Sequence, residues 1–480
     1  MNKEPKGLNI SARSFITAII VIFILMAVSY LLTFLIPPGE YARIVNEAGQ
    51  TVVDTAAGFK NVDGGIPFWK WIASPILVLT GSGNGTLIAV IIFLLVLGGA
   101  FNCLEKGGIL NHLLNRITER YGGSRYKLLT VIVFFFMAMG ALVGSFEEVI
   151  PLVPIVVALA VRLGWDSITG LAMSLLAVGC GFAAGIMNPF TVGVAQSLAG
   201  LPMFSGIWLR LVSFVLIFSL LLAFTRRHAK KVERPVESTE DRNAEAGEDT
   251  DAGREALGDG QNAPMGKALK AFAFIVGLGI LFVFASTIVK ALQDYTMIAI
   301  ALMFLCAGIV SPVIAGFRGR QLGKTFLSGV ISILPAVIMI LMASSIKYTL
   351  EEARILDTIL HGAVGIADSL PTWAVILFIY LIVLVMNFFV ASGSAKAFML
   401  MPLIVPLAQI FGISPQLCIV AFAFGDGFSN VFYPTNAGLL ISLGLADISY
   451  TRWARWSVKF QLANIALTSV ILLFGLAVGY

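Results

Sequence analysis

Long apolar runs recur along this chain and constrain its fold more than any other feature. One extends from about Ser14 to Ile36, and others occupy about 206–225, 268–289 and 294–316. A helix of about 20 apolar residues spans the ~30 Å hydrocarbon core of a bilayer. The runs are of helix length rather than ten-residue alternating segments, which disfavours a β-barrel. The pattern therefore predicts an all-α polytopic membrane protein.

Composition supports this class and excludes others. Hydrophobic residues make up 58% of the 480 positions and charged residues only 12%, which is more apolar surface than a soluble protein of this length can bury. The three histidines are not clustered and the four cysteines lie scattered in apolar segments, so neither an enzyme nor a resident metal or cofactor is expected. No basic patch interleaved with aromatics predicts binding to nucleic acid.

Each half of the chain places polar residues inside an otherwise apolar stretch. The first half reads GSFEEVIPLVP at 144–154 and GIMNPFTVG at 185–193, and the second reads SGSAKAFMLMP at 392–402 and NVFYPTNAG at 430–438. Polar groups and irregular backbone are costly at membrane depth and survive there beside a cavity or inside protein. Paired interruptions in two halves are a sequence indicator of a secondary transporter's binding site.

The first polar segment predicts a re-entrant hairpin over 127–163. A single helix of that length would measure about 55 Å, whereas two legs would each reach only about 22–25 Å, short of a ~30 Å core. Basic residues bracket both ends, at Arg125, Lys127 and Arg162. A hairpin that enters from the cytoplasm satisfies both facts. The alternative is an ordinary helical pair with its glutamate turn in outside water.

Span lengths and the positive-inside rule give the rest of the topology. We expect broken helices at 167–201 and 415–447 and a second re-entrant hairpin, opening from outside, at 373–411. The first apolar run is too long for a signal-peptide core and lacks a cleavage site, so we expect it to be retained as the first span.

A charged segment at 226–266 divides the chain into halves 1–225 and 267–480. It begins with a basic cluster and is poor in aromatics, so we predict a disordered cytoplasmic linker, with the N-terminus on the same side. We therefore expect the chain to lie in a cytoplasmic (inner) membrane.

The two halves keep sequence register with one another. Landmarks recur at offsets of 246, 248 and 245 residues, namely Ile109 with Ile355, Glu148 with Lys396, and Pro189 with Pro434. The predicted orientations of the two halves are opposite. Register and orientation together predict an inverted-topology repeat.

The hairpin tips predict a site for a charged substrate. Glycine–serine turns there would present helix N-termini, which favour anionic groups. Glu147 and Glu148 lie at one tip and Lys396 lies at the other. Opposite charges suit a substrate that carries both a carboxylate and an amine, or a carboxylate that moves with a cation. Alternatively, Glu148 and Lys396 simply pair with each other.

The helix breaks predict a coupling-ion site. Asn188, Thr191, Thr435 and Asn436 supply side-chain oxygens beside unwound backbone, an arrangement suited to Na⁺. Asp426 could accept a proton, complete a cation site or bond to the free backbone. We therefore expect coupling to Na⁺ or H⁺ through Asn188, Asp426 and Asn436, with no other metal.

Four motifs carry a family resemblance over nearly the whole chain outside 226–266. SFEEVIPLVPIVVALA with NPFTVGVAQSLAG, and SGSAKAFMLMPLIVPLA with AFGDGFSNVFYPTNAGLL, resemble YfcC-type carriers of the C4-dicarboxylate carrier (DcuC) family, within the ion-transporter superfamily. The resemblance implies re-entrant hairpins, broken helices, a scaffold that forms a homodimer and an elevator-type motion. It also implies substrate contacts at Ser145, Glu147, Glu148, Asn188, Thr191, Ser392, Ser394, Lys396, Thr435 and Asn436.

The preferred hypothesis is a secondary active transporter of small carboxylate-bearing metabolites. Glu147, Glu148 and Asp426 favour amino acids, including exchange of basic amino acids. C4-dicarboxylate transport is the alternative within the same class, since the family includes both. An ion or solute channel is the alternative of a different class, and would need a continuous polar stripe.

Overall fold

The computed structural model describes residues 12–45, 51–53, 58–80, 85–144, 146–202, 204–234, 262–289, 292, 295–367 and 370–480. Within these residues, nine helices are long and apolar enough to cross a membrane. The predicted class of a helical multi-pass membrane protein is therefore confirmed, and two short strand pairs depart from a purely helical chain. The predicted linker residues 235–261 and the predicted site residue Ser145 lie outside the described residues, as do the side chains of Glu147 and Glu148.

Helices account for most of the described chain. In the first half they are Ala12–Leu35, Phe68–Leu77, Gly85–Lys106, Ile109–Tyr121, Arg125–Ala138, Val153–Arg162, Ser167–Leu171, Ala177–Ala184, Val194–Leu198 and Ile207–Val232. In the second half they are Asn262–Ile288, Thr296–Ile314, Gly319–Glu352, Leu356–Ala367, Thr372–Phe389, Gly393–Ile410, Pro415–Gly427, Ala437–Leu445 and Tyr450–Ala477. Short π-helical turns at Met139–Val143, Ala172–Leu176 and Pro189–Gly193, and 3₁₀ turns at Gly122–Ser124, Glu147–Leu152 and Phe428–Val431, join several of them.

One group of helices forms a framework at one side of the molecule. Gly319–Glu352 packs against Gly85–Lys106 and Ala12–Leu35, and Thr296–Ile314 packs against Gly85–Lys106 as well. The backbones of the first pair approach closely at Gly98 and Gly329, where a β-carbon on Gly98 would lie 2.8 Å from the Gly329 carbonyl oxygen. Small residues permit such close helix contacts, which pack tightly in an apolar medium.

A second group of helices forms two hairpins and two interrupted helices. We call residues 125–162 the first hairpin and 372–410 the second hairpin, and we call 167–198 and 415–445 the first and second interrupted helices. Arg125–Ala138 packs on Ala177–Ala184, which also contacts Pro415–Gly427 of the other half. The window Ser167–Ala184 is 94% buried, against 33% for Ile207–Val232. The interrupted helices therefore form the interior, and Ile207–Val232 lies at the surface.

The predicted linker boundaries at 226 and 266 need correction. The helix Ile207–Val232 continues through the basic cluster, and the next helix already begins at Asn262. Basic residues near a helix C-terminus are stabilised by the helix dipole, so the cluster favours continued helix beyond the apolar run. The helix Gly319–Glu352 ends just before Arg354, which adopts a positive φ of 57°.

Two short antiparallel strand pairs follow the first helix. β1 (Gly39–Tyr41) pairs with β4 (Phe59–Asn61), and β2 (Arg43–Val45) pairs with β3 (Thr51–Val53). Asp357 holds this segment to the helix Leu356–Ala367, because it bonds the Tyr41 backbone N–H at 3.0 Å and pairs with Arg43 at 2.9 Å.

Candidate functional site

The tip of the first hairpin lies against the break in the first interrupted helix. Gly144 turns the chain with φ of 75°, and a β-carbon there would clash with Asn188 Oδ1. The break at Met187 is bonded back to the hairpin, since its backbone N–H donates to the Ala141 carbonyl at 3.0 Å. A π-helical turn leaves carbonyls without their usual partners, which explains why Ala141 can accept this bond.

Asn188 and Thr191 occupy the break itself. The Thr191 backbone N–H donates to Asn188 Oδ1 at 3.3 Å, so the asparagine side chain caps the helix that restarts at Pro189. Both residues are completely buried. The Thr191 hydroxyl oxygen has no hydrogen-bond partner among the described residues. A buried hydroxyl in that state is available to a ligand.

The tip of the second hairpin contacts both interrupted helices. Ser392 caps the outgoing leg, where its hydroxyl accepts from the Ala395 N–H at 3.4 Å. A β-carbon on Gly393 would clash with the Thr191 side chain and would lie 2.6 Å from Asp426 Oδ2. Glycine is therefore required sterically at this tip, and the tip joins the two halves.

A buried ion pair lies one turn below this tip. Lys396 Nζ is 2.7 Å from Asp426 Oδ1, and both side chains are fully buried. Nζ also donates to the Val390 carbonyl at 3.0 Å and to Asn387 Oδ1. Apart from the ion pair, the Asp426 carboxylate accepts no hydrogen bond from the described residues. Lys396 is thus well satisfied, whereas the carboxylate has unused acceptor positions.

An amide network connects the pair to the second helix break. Asn387 Nδ2 donates to Asn430 Oδ1 at 2.9 Å and to the Ser429 hydroxyl at 2.6 Å. Asn436 Nδ2 donates to the same Asn430 oxygen at 3.1 Å, while its own Oδ1 caps Ala437–Leu445 by accepting from the Leu439 N–H at 3.1 Å. The neighbouring Thr435 hydroxyl has no partner among the described residues.

The first tip also reaches the second interrupted helix. A β-carbon on Gly438 would lie 2.6 Å from the Phe146 ring. Each hairpin tip therefore touches both interrupted helices, and the predicted residues Asn188, Thr191 and Lys396 lie in this common region. Ser394 sits half-buried on the second tip, and Ser392 is exposed.

Two aspects of this site differ from the sequence reasoning. Lys396 pairs with Asp426, whereas the sequence offered Glu148 as its partner. Asn387 and Asn430 hold the centre of the network, yet neither was selected as a candidate. Asn387 lies within the apolar run LVMNFFV, and this position alone indicates a functional residue, because polar groups in membrane spans are costly and usually functional.

The fold and its enclosed polar centre define an integral multi-pass membrane protein of the solute-transporter class. The chain belongs to the family described as DcuC, C4-dicarboxylate anaerobic carrier, whose model matches residues 15–477. This family relationship makes the chain a secondary transporter, and the family resemblance seen in the sequence is confirmed.

Individual relatives are similar over most of the chain. YfcC of Escherichia coli (strain K12), which is named as a candidate basic amino acid antiporter, is 29% identical over 93% of this chain and 88% of its own length. An uncharacterized protein of Haemophilus influenzae is 23% identical over 81% of this chain and 76% of its own length.

Two solved transporter structures can also be superimposed on most of the chain. The Alcanivorax borkumensis YdaH transporter is 17% identical with a TM-score of 0.42, covering 97% of this chain and 98% of its own. Neisseria gonorrhoeae MtrF, described as an antimetabolite efflux pump, is 16% identical with a TM-score of 0.45, covering 95% and 94%.

Proposed function

We propose that this protein is an antiporter that exchanges small carboxylate-bearing metabolites, most favourably basic amino acids, across the bacterial cytoplasmic membrane. The observation that carries the proposal is the fully buried Lys396–Asp426 pair between a hairpin tip and an interrupted helix. Ionisable residues at membrane depth in transporters commonly mark the path of substrates and ions.

The charge balance of the pair favours an amino acid. One cation and one anion complement the α-carboxylate and α-amine of a zwitterion, whereas a dianion alone would find the Asp426 carboxylate repulsive. Asp426 has acceptor positions left for an ammonium group. Glu147 and Glu148 add negative charge at the first tip in the sequence, which favours a second amine on the substrate. The name of the E. coli relative agrees with this assignment.

C4-dicarboxylate transport is the second candidate, and Lys396 supports it. A fully buried lysine ammonium attracts a carboxylate, which would replace one of its three present acceptors, and the family description names such substrates. In that case Asp426 would hold a coupling cation or a proton while the dicarboxylate is bound.

We assign substrate contacts to the hairpin tips and helix breaks, at Ser145, Glu147, Glu148, Asn188, Thr191, Ser392, Ser394, Lys396, Thr435 and Asn436. Coupling to Na⁺ or H⁺ would use Asp426 with the Asn188 and Asn436 side chains. The hydroxyls of Thr191 and Thr435 lie on one break each and have no hydrogen-bond partner in the described part of the chain. They support this assignment because they can contribute oxygen ligands.

The proposal extends to how the protein moves. The two hairpins would be re-entrant and related by an inverted repeat, and they would move with the interrupted helices against a dimeric framework, as an elevator. The close contact of both tips with both interrupted helices supports movement as one unit. The basic ends of Ile207–Val232 and Tyr450–Ala477 would face the cytoplasm, by the positive-inside rule.

Exchange in proteoliposomes tests this function. Purified protein is reconstituted, the vesicles are loaded with unlabelled arginine, succinate or buffer, and uptake of labelled arginine or succinate is followed. We expect saturable arginine uptake that internal arginine accelerates. Single variants of Lys396 should abolish it without abolishing reconstitution.

Two other outcomes of this assay would indicate a different function. If internal succinate accelerates the uptake of labelled succinate and arginine is not transported, dicarboxylate exchange replaces the amino-acid assignment. Uptake that neither saturates nor responds to internal solute or an ion gradient would identify a channel and refute the antiporter.

A further inference from the structure

A second candidate site in this molecule is a basic cavity. Its volume is about 780 Å³, and it opens between the last turns of Ile207–Val232 and the first turns of Tyr450–Ala477. Its lining includes five cationic side chains, from Arg227, Lys231, Arg452, Arg455 and Lys459. The substrate contacts proposed above contribute none of its lining residues.

The five cations are electrostatically uncompensated within the described residues. Within the described residues, none of them has a carboxylate within ion-pair distance. All five side chains are exposed. The carboxylate of Asp166 is engaged by His228, another lining residue, at 3.2 Å. Five cations around one cavity, without ion-pair partners in the described part of the chain, attract a concentrated negative charge.

The floor of the cavity is aromatic. The Trp456 ring lies 4.9 Å from the Phe224 ring and 5.1 Å from the His228 ring, between centroids. Trp453 packs on Trp456 at 5.4 Å. Tryptophan is enriched at the membrane–water boundary, where its apolar body and polar N–H face different media. The cavity thus combines a charged rim with an apolar floor.

The exposed faces below the cavity are apolar on both helices. On Tyr450–Ala477 the exposed stripe that carries Arg452, Arg455 and Lys459 continues at helical spacing through Leu462 and Val470, which are 63% and 62% exposed. On Ile207–Val232 the exposed stripe that carries Arg227 and Lys231 continues towards the N-terminus of the helix, through Leu216 and Val212. In a membrane protein such apolar stripes face acyl chains.

We infer that this basic cavity is a binding site for an anionic phospholipid. The rim cations would hold the headgroup phosphate, the aromatic floor would contact the glycerol region, and the acyl chains would lie along the two apolar stripes. A free inorganic phosphate could satisfy the cations alone. It would not use the apolar stripes, which is why we assign the lipid. Basic pockets between helices at this depth are the setting in which lipid headgroups bind.

Native mass spectrometry of the delipidated full-length protein tests the inference. The probes are phosphatidylglycerol and phosphatidylcholine with matched acyl chains, which share size and differ in net charge. We expect retention of phosphatidylglycerol in preference to phosphatidylcholine. The double variant Arg452→Gln/Arg455→Gln should weaken phosphatidylglycerol binding by roughly tenfold to thirtyfold.

A matched control isolates position from net charge. Arg318→Gln/Arg320→Gln removes two exposed arginines at the start of the helix Gly319–Glu352 and should leave lipid binding unchanged. Arg452→Lys/Arg455→Lys should retain most of it, and thermal melts of all variants should show that they are folded. Equal loss in the control, or equal retention of both lipids, would overturn the inference.

Competition arms separate the lipid from other anions. Sodium phosphate should displace no more phosphatidylglycerol than sodium chloride does at the same ionic strength. A synthetic peptide with the sequence of residues 235–261, which carries nine acidic and two basic residues, should not displace it either. Displacement by phosphate would assign the cavity to a free anion, and displacement by the peptide would assign it to the chain's own acidic segment. Either result would overturn the lipid assignment.

Discussion

The Lys396–Asp426 pair shows how one contact can serve both folding and transport. Two charges removed from water are tolerated only when they compensate each other. Lys396 is also held by the Val390 carbonyl and by Asn387, whereas Asp426 depends on Lys396 alone among the described residues. A substrate ammonium or coupling cation could therefore bind the carboxylate without first displacing hydrogen bonds from it.

A double-mutant cycle separates the effect of the Lys396–Asp426 pair on stability from its effect on transport. Lys396→Met leaves a buried carboxylate uncompensated and should lower the free energy of unfolding by about 3–5 kcal/mol, whereas Lys396→Met/Asp426→Leu should be close to wild type in stability. Both variants should be inactive in exchange. Thermal melts in detergent and the proteoliposome assay measure the two effects.

An exposed pair provides the control for this cycle. Lys347 and Glu351 lie 3.2 Å apart one helical turn from each other, with side chains 42% and 50% exposed. Lys347→Met should change stability by less than about 1 kcal/mol. Exchange activity in the double variant would show that the buried pair has no part in transport.

Asp166 gives the protein a defined response to acid. It caps Ser167–Leu171 by accepting from the Thr169 N–H at 2.9 Å, and it pairs with His228. Burial alone would raise the pKa of Asp166, but the hydrogen bonds from His228 and Thr169 outweigh it and hold the pKa below the ordinary value. The stabilisation is therefore present above the unfolded-state pKa of about 4 and is lost as the pH falls through the lower folded-state value.

Thermal melts as a function of pH check this response. The wild type should lose stability below about pH 4, and Asp166→Asn should lose less over the same interval because its side chain does not titrate. The exposed Asp63 serves as control, since Asp63→Asn should keep the wild-type profile. Superimposable profiles of Asp166→Asn and wild type would contradict the assignment.

Helix interruptions and close helix crossings share one physical basis in this fold. Where the chain must turn at depth, glycine removes the steric barrier and a polar side chain satisfies the free backbone, as Gly144 and Asn188 do together. Where two helices must cross without a hydrophobic driving force, glycine allows direct backbone contact, as at Gly98 and Gly329.

A pair of substitutions on one helix tests the crossing. Gly329→Ala introduces a β-carbon that clashes with the Gly98 carbonyl, so it should destabilise the fold by about 1–3 kcal/mol. Gly323 lies on the same helix with no atom within 4 Å of such a β-carbon. Gly323→Ala should be neutral or stabilise by up to about 1 kcal/mol. Equal melting temperatures for the two variants would refute a packing role for the crossing.

The arrangement of the whole molecule rests on the topology proposed for its two halves. If the halves are inverted, the strand segment and the basic helix ends face opposite sides of the membrane. In a variant without native cysteines, Lys60→Cys should react with an impermeant maleimide on intact cells, whereas Arg320→Cys should react only after permeabilisation.

The first hairpin tip can be tested in the same background. Ser145→Cys should react in the absence of substrate and be protected by arginine, because we place this tip at the substrate site. Labelling of Lys60→Cys, in contrast, should not respond to substrate. Free reaction at 145 regardless of substrate would favour the ordinary helical pair with its turn in outside water.

Local features of the sequence predicted the class of fold well. Helix length, apolar composition and the Gly–Pro–Asn interruptions act within one or two turns, so hydropathy indicates both the spans and the places where Gly185 and Pro434 stop them. The ends of helices were predicted less well. Ile207–Val232 outlasts its apolar run because charged residues remain helical beyond the membrane.

Hydropathy and turn chemistry are local properties, so the amino-acid sequence was enough to predict a helical multi-pass membrane protein of the DcuC family with polar groups at four interruptions. Which of these groups meet depends on packing between segments that are far apart in the chain. Lys396 could have paired with Glu147, Glu148 or Asp426, and the choice of Asp426 follows from the way the second hairpin packs on the second interrupted helix. Packing over long sequence separations also created the basic cavity, because its cations come from two helices in different halves.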